Sequence, residues 1–145
     1  MTKIVIDFIF SDIDNPMQLF AQGCSIVPDK SGKAVFAADI ELPSKIILEV
    51  SGKNKNDTIV DAQGNILKDK CIIIENVHVD GISPHINFLK KWPRLMVGGK
   101  GSNKIVYSNY FGFNGIVELE FEGANVFQWL LRTNKFRDSN WNTTY

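Results

Sequence analysis

Apolar residues recur at every second position in several short runs, the pattern of strands that bury one face. From Lys3 to Phe10, Ile4, Ile6, Phe8 and Phe10 share one face while Val5, Asp7 and Ile9 share the other. The punctuation Ser11-Asp12-Ile13-Asp14-Asn15-Pro16 follows, where a helix would be hard to sustain. From Lys33 to Leu42, Val35, Ala37 and Asp39 alternate with Phe36, Ala38 and Ile40 until Pro43 closes the run, and Ser44 to Ser51 places Ile46, Leu48 and Val50 on one face. The stretch Asp57 to Leu67 reads as an outgoing arm, a tight loop at Gly64 and a returning arm, since Gly and Asn tolerate the positive φ of hairpin turns.

The strongest strand predicted is Cys71 to Val79. Its β-branched positions change parity between Ile72, Ile74 and Val77, Val79, which predicts a bulge near Glu75-Asn76. Ile116 to Glu122 alternates Val117, Leu119 and Phe121 inward with Glu118, Glu120 and Glu122 outward, as in an antiparallel sheet wetted on one side. Helical spacing is confined to two short pieces, Ser83 to Leu89 and Asn125 to Leu131. Short strands at regular intervals without a helix-rich half predict an all-β fold, an antiparallel β-sandwich or jelly roll with at most two short helices. The sandwich is expected to span 1–131, and 132–145, rich in Asn, Thr and Arg, to form an extended C-terminal tail.

The chain's 145 residues amount to about one domain of the usual ~150. Hydrophobic residues at 44% and charged residues at 22% place it among globular proteins rather than disordered or disulfide-scaffold chains. The apolar runs fall well short of the roughly 20 residues that span a bilayer, so no membrane helix is expected. The first residues lack the apolar block of a signal peptide, and manufacture in the cytosol is expected. Cys24 and Cys71 are expected to be free, buried thiols.

Candidate chemistry is sparse. There are two histidines, His78 and His85, and no serine sits in a Gly-x-Ser-x-Gly elbow, so both are read as ordinary polar side chains and no catalytic triad is expected. Cys and His lack the paired spacing of a zinc site, and Gly98-Gly99-Lys100-Gly101-Ser102 lacks the spacing of a phosphate loop. Asn56, Asp57 and Asp61 cluster beside a turn, where oxygen-rich side chains either bond local backbone or hold calcium. The 16 basic and 16 acidic side chains cancel, yet Gly81 to Val117 has no acid and carries Lys90, Lys91, Arg94, Lys100 and Lys104. The interleaved Phe88, Trp92, Tyr107, Tyr110, Phe111 and Phe113 would suit single-stranded nucleic acid, a sugar or a protein. Without a domain-wide basic excess, nucleic acid is disfavoured, and a protein contact fits aromatics and Arg best.

The order of the segments Leu48 to Lys53, Asn56 to Asp69 and Cys71 to Ile82, then Asn114 to Phe121 and Phe127 to Leu131, resembles small proteins of contractile-tailed phages that infect marine bacteria. Some of these look like carbohydrate-binding jelly rolls. The resemblance implies a non-enzymatic virion component, assembled in the host cytoplasm without a cofactor. It would dock onto other virion proteins or copies of itself through Lys90, Lys91, Trp92, Arg94, Tyr107 and Tyr110, and through Arg132, Trp141 and Tyr145 of the tail. The alternative it implies is a calcium-assisted carbohydrate-binding module, with calcium at Asp57 and Asp61 and the sugar stacked on Trp92, Tyr107 or Tyr110. A single-stranded nucleic-acid binder is the further alternative.

Overall fold

A computed structural model describes residues 1–97 and 104–132. The strands are β1 (Thr2–Phe10), β2 (Gln18–Ala21), β3 (Cys24–Ile26), β4 (Lys33–Ile40), β5 (Ser44–Ser51), β6 (Ile59–Val60), β7 (Ile66–Lys68), β8 (Ile72–Val79), β9 (Arg94–Val97), β10 (Lys104–Tyr107), β11 (Tyr110–Phe111) and β12 (Gly115–Phe121). Helix α1 (Ile86–Leu89) lies between β8 and β9, and a second helix occupies 126–132. No described helix is long and apolar enough to cross a membrane.

All the strand pairs are antiparallel. One sheet has the order β11-β8-β1-β4 and the other β10-β9-β12-β5-β2-β3, while β6 and β7 form a separate hairpin. The β-sandwich expected from the alternation is therefore present. Its core joins Ile4, Ile6, Phe8 and Phe10 of β1 to Ile46, Leu48 and Val50 of β5 and Val117, Leu119 and Phe121 of β12. Non-polar burial of this kind contributes about 25 cal/mol per Å² removed from water, so the inward parity of each strand is strongly specified.

The expected bulge is also present. Phe8 pairs with Ile74 and Asp7 with Asn76, leaving Glu75 as the extra residue. The insertion lets Ile72, Ile74, Val77 and Val79 all reach the core. One end of the sandwich is closed by Phe88, Trp92, Phe121 and Trp129, whose rings pack tilted or edge-on at centroid distances of 5.0 to 5.9 Å. The helix carrying Trp129 starts at a local cap: Asn125 Oδ1 accepts from Gln128 N at 3.0 Å, and Gln128 Oε1 accepts from Ala124 N at 2.8 Å.

Four expectations need correction. Trp92 is 2% exposed and donates Nε1–H to the Glu120 carbonyl at 2.8 Å, so it is part of the core and offers no surface for a sugar or partner. The basic aromatic stretch from Phe88 to Phe113 contains α1, β9, β10 and β11, placing Arg94 and Tyr107 in one sheet and Tyr110 in the other. Glu118 points outward as its parity demands, but it is covered by Arg94 at 3.4 Å and Lys45 at 3.8 Å. Cys24 is exposed; Cys71 is buried, and both are free.

Trp92 and Trp129 are both fully buried, yet Trp129 Nε1 has no hydrogen-bond partner among the described residues. Trp92→Phe is therefore expected to lower the urea unfolding free energy by about 1 kcal/mol more than Trp129→Phe, the net worth of one hydrogen bond. Equal losses would contradict this ordering.

Candidate functional site

The outer face of the four-stranded sheet carries a row of chemically capable side chains. Core burial of Ile6 and Phe8 turns Asp7 outward on β1, and the Glu75 bulge turns His78 outward on β8 beside it. His78 Nε2 lies 3.1 Å from Asp7 Oδ2, and Ser83 Oγ lies 2.7 Å from His78 Nδ1. The three side chains form one hydrogen-bonded row.

An open hollow of about 320 Å³ adjoins the row, lined by Asp7, Phe8, Lys33, Ala34, Val35, Glu75 and Asn76. The bulged residues Glu75 and Asn76 form its β8 side, where an unpaired residue interrupts the ladder. Asn76 Oδ1 accepts from Val77 N at 2.9 Å, which leaves the Asn76 amide N–H groups for a ligand. Among the described residues neither Lys33 nor Glu75 takes part in an ion pair. The hollow thus combines carboxylate acceptors with ammonium and amide donors.

A second polar cluster anchors the β6–β7 hairpin to the sandwich. Asp69 accepts hydrogen bonds from Lys53 Nζ, Tyr110 OH and, at 2.6 Å, Thr58 Oγ1. Gly112 faces this cluster: an added Cβ would lie 3.0 Å from Lys53 Nζ and 3.2 Å from Asp69 Oδ2. Ser11 links the hairpin base to β1, donating to the Asp69 carbonyl at 2.9 Å and accepting from Cys71 N at 2.8 Å. Burial opposes ionisation of Asp69, but the hydrogen bonds from Lys53, Thr58 and Tyr110, with the Lys53 charge, outweigh it and hold the carboxyl below its ordinary range. Burial and the Asp69 carboxylate push the Tyr110 phenol upward.

The calcium expectation fits these residues poorly. Asp57 faces the buried ammonium of Lys70 at 3.5 Å. Asp61 closes its own turn, accepting from Gln63 N and Asn65 N at 2.9 Å and from Asn65 Nδ2 at 3.3 Å. No group of three or more His, Cys, Asp or Glu among the described residues is placed to hold a metal ion. These are the local bonds of turn-forming aspartates.

The expected partner-binding residues do not converge on one surface. Lys90 is exposed, Lys91 is half-buried, and Arg94 reaches Glu118. Tyr107, 47% exposed, lies directly opposite Arg94 in the six-stranded sheet, whereas Tyr110 is held at the hairpin base. Arg132 is exposed at the end of the second helix, and Trp141 and Tyr145 lie outside the described residues, as do Gly98 to Ser102. The sequence reading took His78 for an ordinary polar side chain and did not single out Asp7 or Ser83. Its own parity assignments for β1 and β8 put Asp7 and His78 on solvent-facing positions, and only the pairing of those strands was lacking.

No protein-family model and no curated protein matches the chain. Two solved structures are similar in outline. The first is the selenomethionine form of vCBM60, described in work on circular permutation as an evolutionary link between two families of calcium-dependent carbohydrate-binding modules; it has a TM-score of 0.49 and 10% identity, covering 83% of this chain and 91% of its own. The second is vCBM60 in complex with galactobiose, with a TM-score of 0.44 and 12% identity, covering 81% and 97%. None of these comparisons returns a phage protein.

Asp69 yields a pH prediction. A carboxyl depressed in the folded state contributes stability above its unfolded value of roughly 3.9, and that contribution is lost as pH falls through the folded value. Unfolding free energies measured in urea should therefore fall on acidification below about pH 4, and more steeply in the wild type than in Asp69→Asn. Parallel curves for the two proteins would refute the role given to Asp69.

Proposed function

We propose that the protein is a binding module that takes a short glycan in the hollow beside the Glu75 bulge. The observation that carries this reading is the lining: Asp7 and Glu75 as acceptors, Lys33 and Asn76 as donors, gathered around about 320 Å³ of open space. Each sugar hydroxyl both donates and accepts, so adjacent hydroxyls match a surface offering both in alternation, whereas a purely anionic or cationic ligand would meet a like charge. Val35, exposed at the rim, offers an apolar edge to the C–H face of a ring. Phe8, the aromatic residue in the lining, is fully buried in the core and offers no ring for stacking, so affinity rests on hydrogen bonds and is expected to be weak.

A glycan array followed by titration calorimetry tests this reading. The wild type should retain at least one oligosaccharide, and Lys33→Ala and Glu75→Ala should each weaken binding about tenfold, as expected for loss of a charge-assisted hydrogen bond. Retention of no glycan, or unchanged affinity in both variants, would dismiss the hollow.

A second reading, a structural component of a virus particle, is favoured by the β6–β7 hairpin. Ile59, Val60, Ile66 and Leu67 are 48 to 66% exposed on an arm whose base is held by Lys70–Asp57 and the Asp69 cluster. Such a surface suits burial by a neighbouring protein subunit, since exposed apolar patches commonly mark contacts. Mass spectrometry of purified particles should then detect the chain; its absence from them would end this reading.

A further inference from the structure

We propose that Ser83 is an activated nucleophile that accepts acyl groups from carboxylic esters, with His78 as its base and Asp7 orienting the imidazole. The proposal goes beyond glycan binding and does not depend on it. Ser83 Oγ is 2.7 Å from His78 Nδ1, and His78 Nε2 is 3.1 Å from Asp7 Oδ2, which are nucleophile-to-base and base-to-carboxylate hydrogen bonds in one continuous row. His78 and Asp7 retain 35% and 32% of their side-chain exposure and Ser83 is exposed, so an ester can reach the hydroxyl.

The carboxylate settles the tautomer. Asp7 accepts the Nε2 proton, which leaves the Nδ1 lone pair facing Ser83 to receive the hydroxyl proton. The ring is turned end for end relative to serine proteases, where Nε2 faces the serine; either nitrogen is chemically able to act as base.

Positioning is also built into the backbone. Asp80 and Gly81 both have positive φ, 50° and 81°, in the turn that follows β8. That turn is held by Val79 N to Ile82 O at 2.9 Å and Ile82 N to Val79 O at 3.0 Å. It is tied to β1 by Asp80 N to Lys3 O and Lys3 N to Asp80 Oδ1, each 2.8 Å. Pro84 restricts the chain immediately after Ser83. Asp-Gly is the residue pair that suits positive φ at both central positions of a tight hairpin turn, so the turn is well defined and carries the chain from β8 to Ser83 in a fixed path.

The reaction balances with the ester and water alone. Ser83 Oγ bonds to the carbonyl carbon as its proton passes to His78 Nδ1, and Asp7 stabilises the imidazolium. The C–O bond to the alcohol then breaks as Nδ1 returns the proton to the departing oxygen, leaving acyl-Ser83. Water attacks in the same way, releases the carboxylic acid and restores the hydroxyl. Pro84 supplies no N–H, so a backbone donor that often stabilises the oxyanion is missing, at a cost of about 10²- to 10³-fold in rate. The substrates it suits are accordingly activated or small acyl esters.

The test uses a fluorophosphonate probe and p-nitrophenyl acetate on the intact chain. Mass spectrometry should place one phosphonyl group on Ser83, and p-nitrophenol should be released in a burst equal to the protein concentration. Ser83→Ala, with unchanged circular dichroism and melting, should abolish both; His78→Ala should abolish labelling, and Asp7→Asn should slow it at least about tenfold. Because both probes are small, the outcome is independent of whether the hollow binds a glycan. An unlabelled Ser83, or labelling at the wild-type rate in a folded His78→Ala variant, would overturn the proposal.

Discussion

The extra residue at Glu75 is the constraint on which the rest of the four-stranded sheet depends. Side chains alternate across a strand with a period of two, so without an insertion Ile72 and Ile74 would put Val77 and Val79 on the solvent side and His78 in the core. With Glu75 left out of the ladder, all four aliphatics are buried, and Asn76 and His78 emerge on the face that carries Asp7. The bulged residues Glu75 and Asn76 also line the hollow, together with Lys33. The row Ser83–His78–Asp7 and the polar hollow thus both draw residues from one irregularity, stabilised by the hydrophobic burial that requires it.

The hairpin poses the opposite problem. A two-stranded ribbon is marginal in water by itself, and four of the large side chains on β6 and β7 are exposed rather than packed. Its conformation is set at its base, where Lys53, Thr58 and Tyr110 converge on Asp69 and the ammonium of Lys70, 2% exposed, lies against Asp57. A charge so removed from water requires a partner, because an unpaired buried ion costs several kcal/mol. This requirement explains why aspartates that suggest calcium donors in the sequence serve here as counterions and turn-closers.

The longer strands were legible because each carries enough period-two positions to show its parity: β1, β4, β5, β8 with its bulge, and β12. The short elements were not. β2, β3, β10 and β11 have between two and four residues, too few for alternation to stand out, and they take their structure from the neighbours they pair with. Trp92 illustrates the same limit for a single residue. An aromatic among lysines resembles a surface anchor until Phe88, Phe121 and Trp129 are seen packed around it.

Local alternation, turn chemistry and composition, by themselves, determined that this chain is an antiparallel sandwich, which faces of its long strands are buried, and where β8 must bulge. Such features arise from interactions within a few residues of one another. The tertiary structure alone decided that Asp7 meets His78 across 71 positions of sequence, that Tyr110 meets Asp69 across 41, and that Glu118 is covered by Arg94 and Lys45. Those contacts follow from which strands become neighbours, and that choice is made by burying the whole core at once, a sum over distant residues that no single stretch of sequence contains.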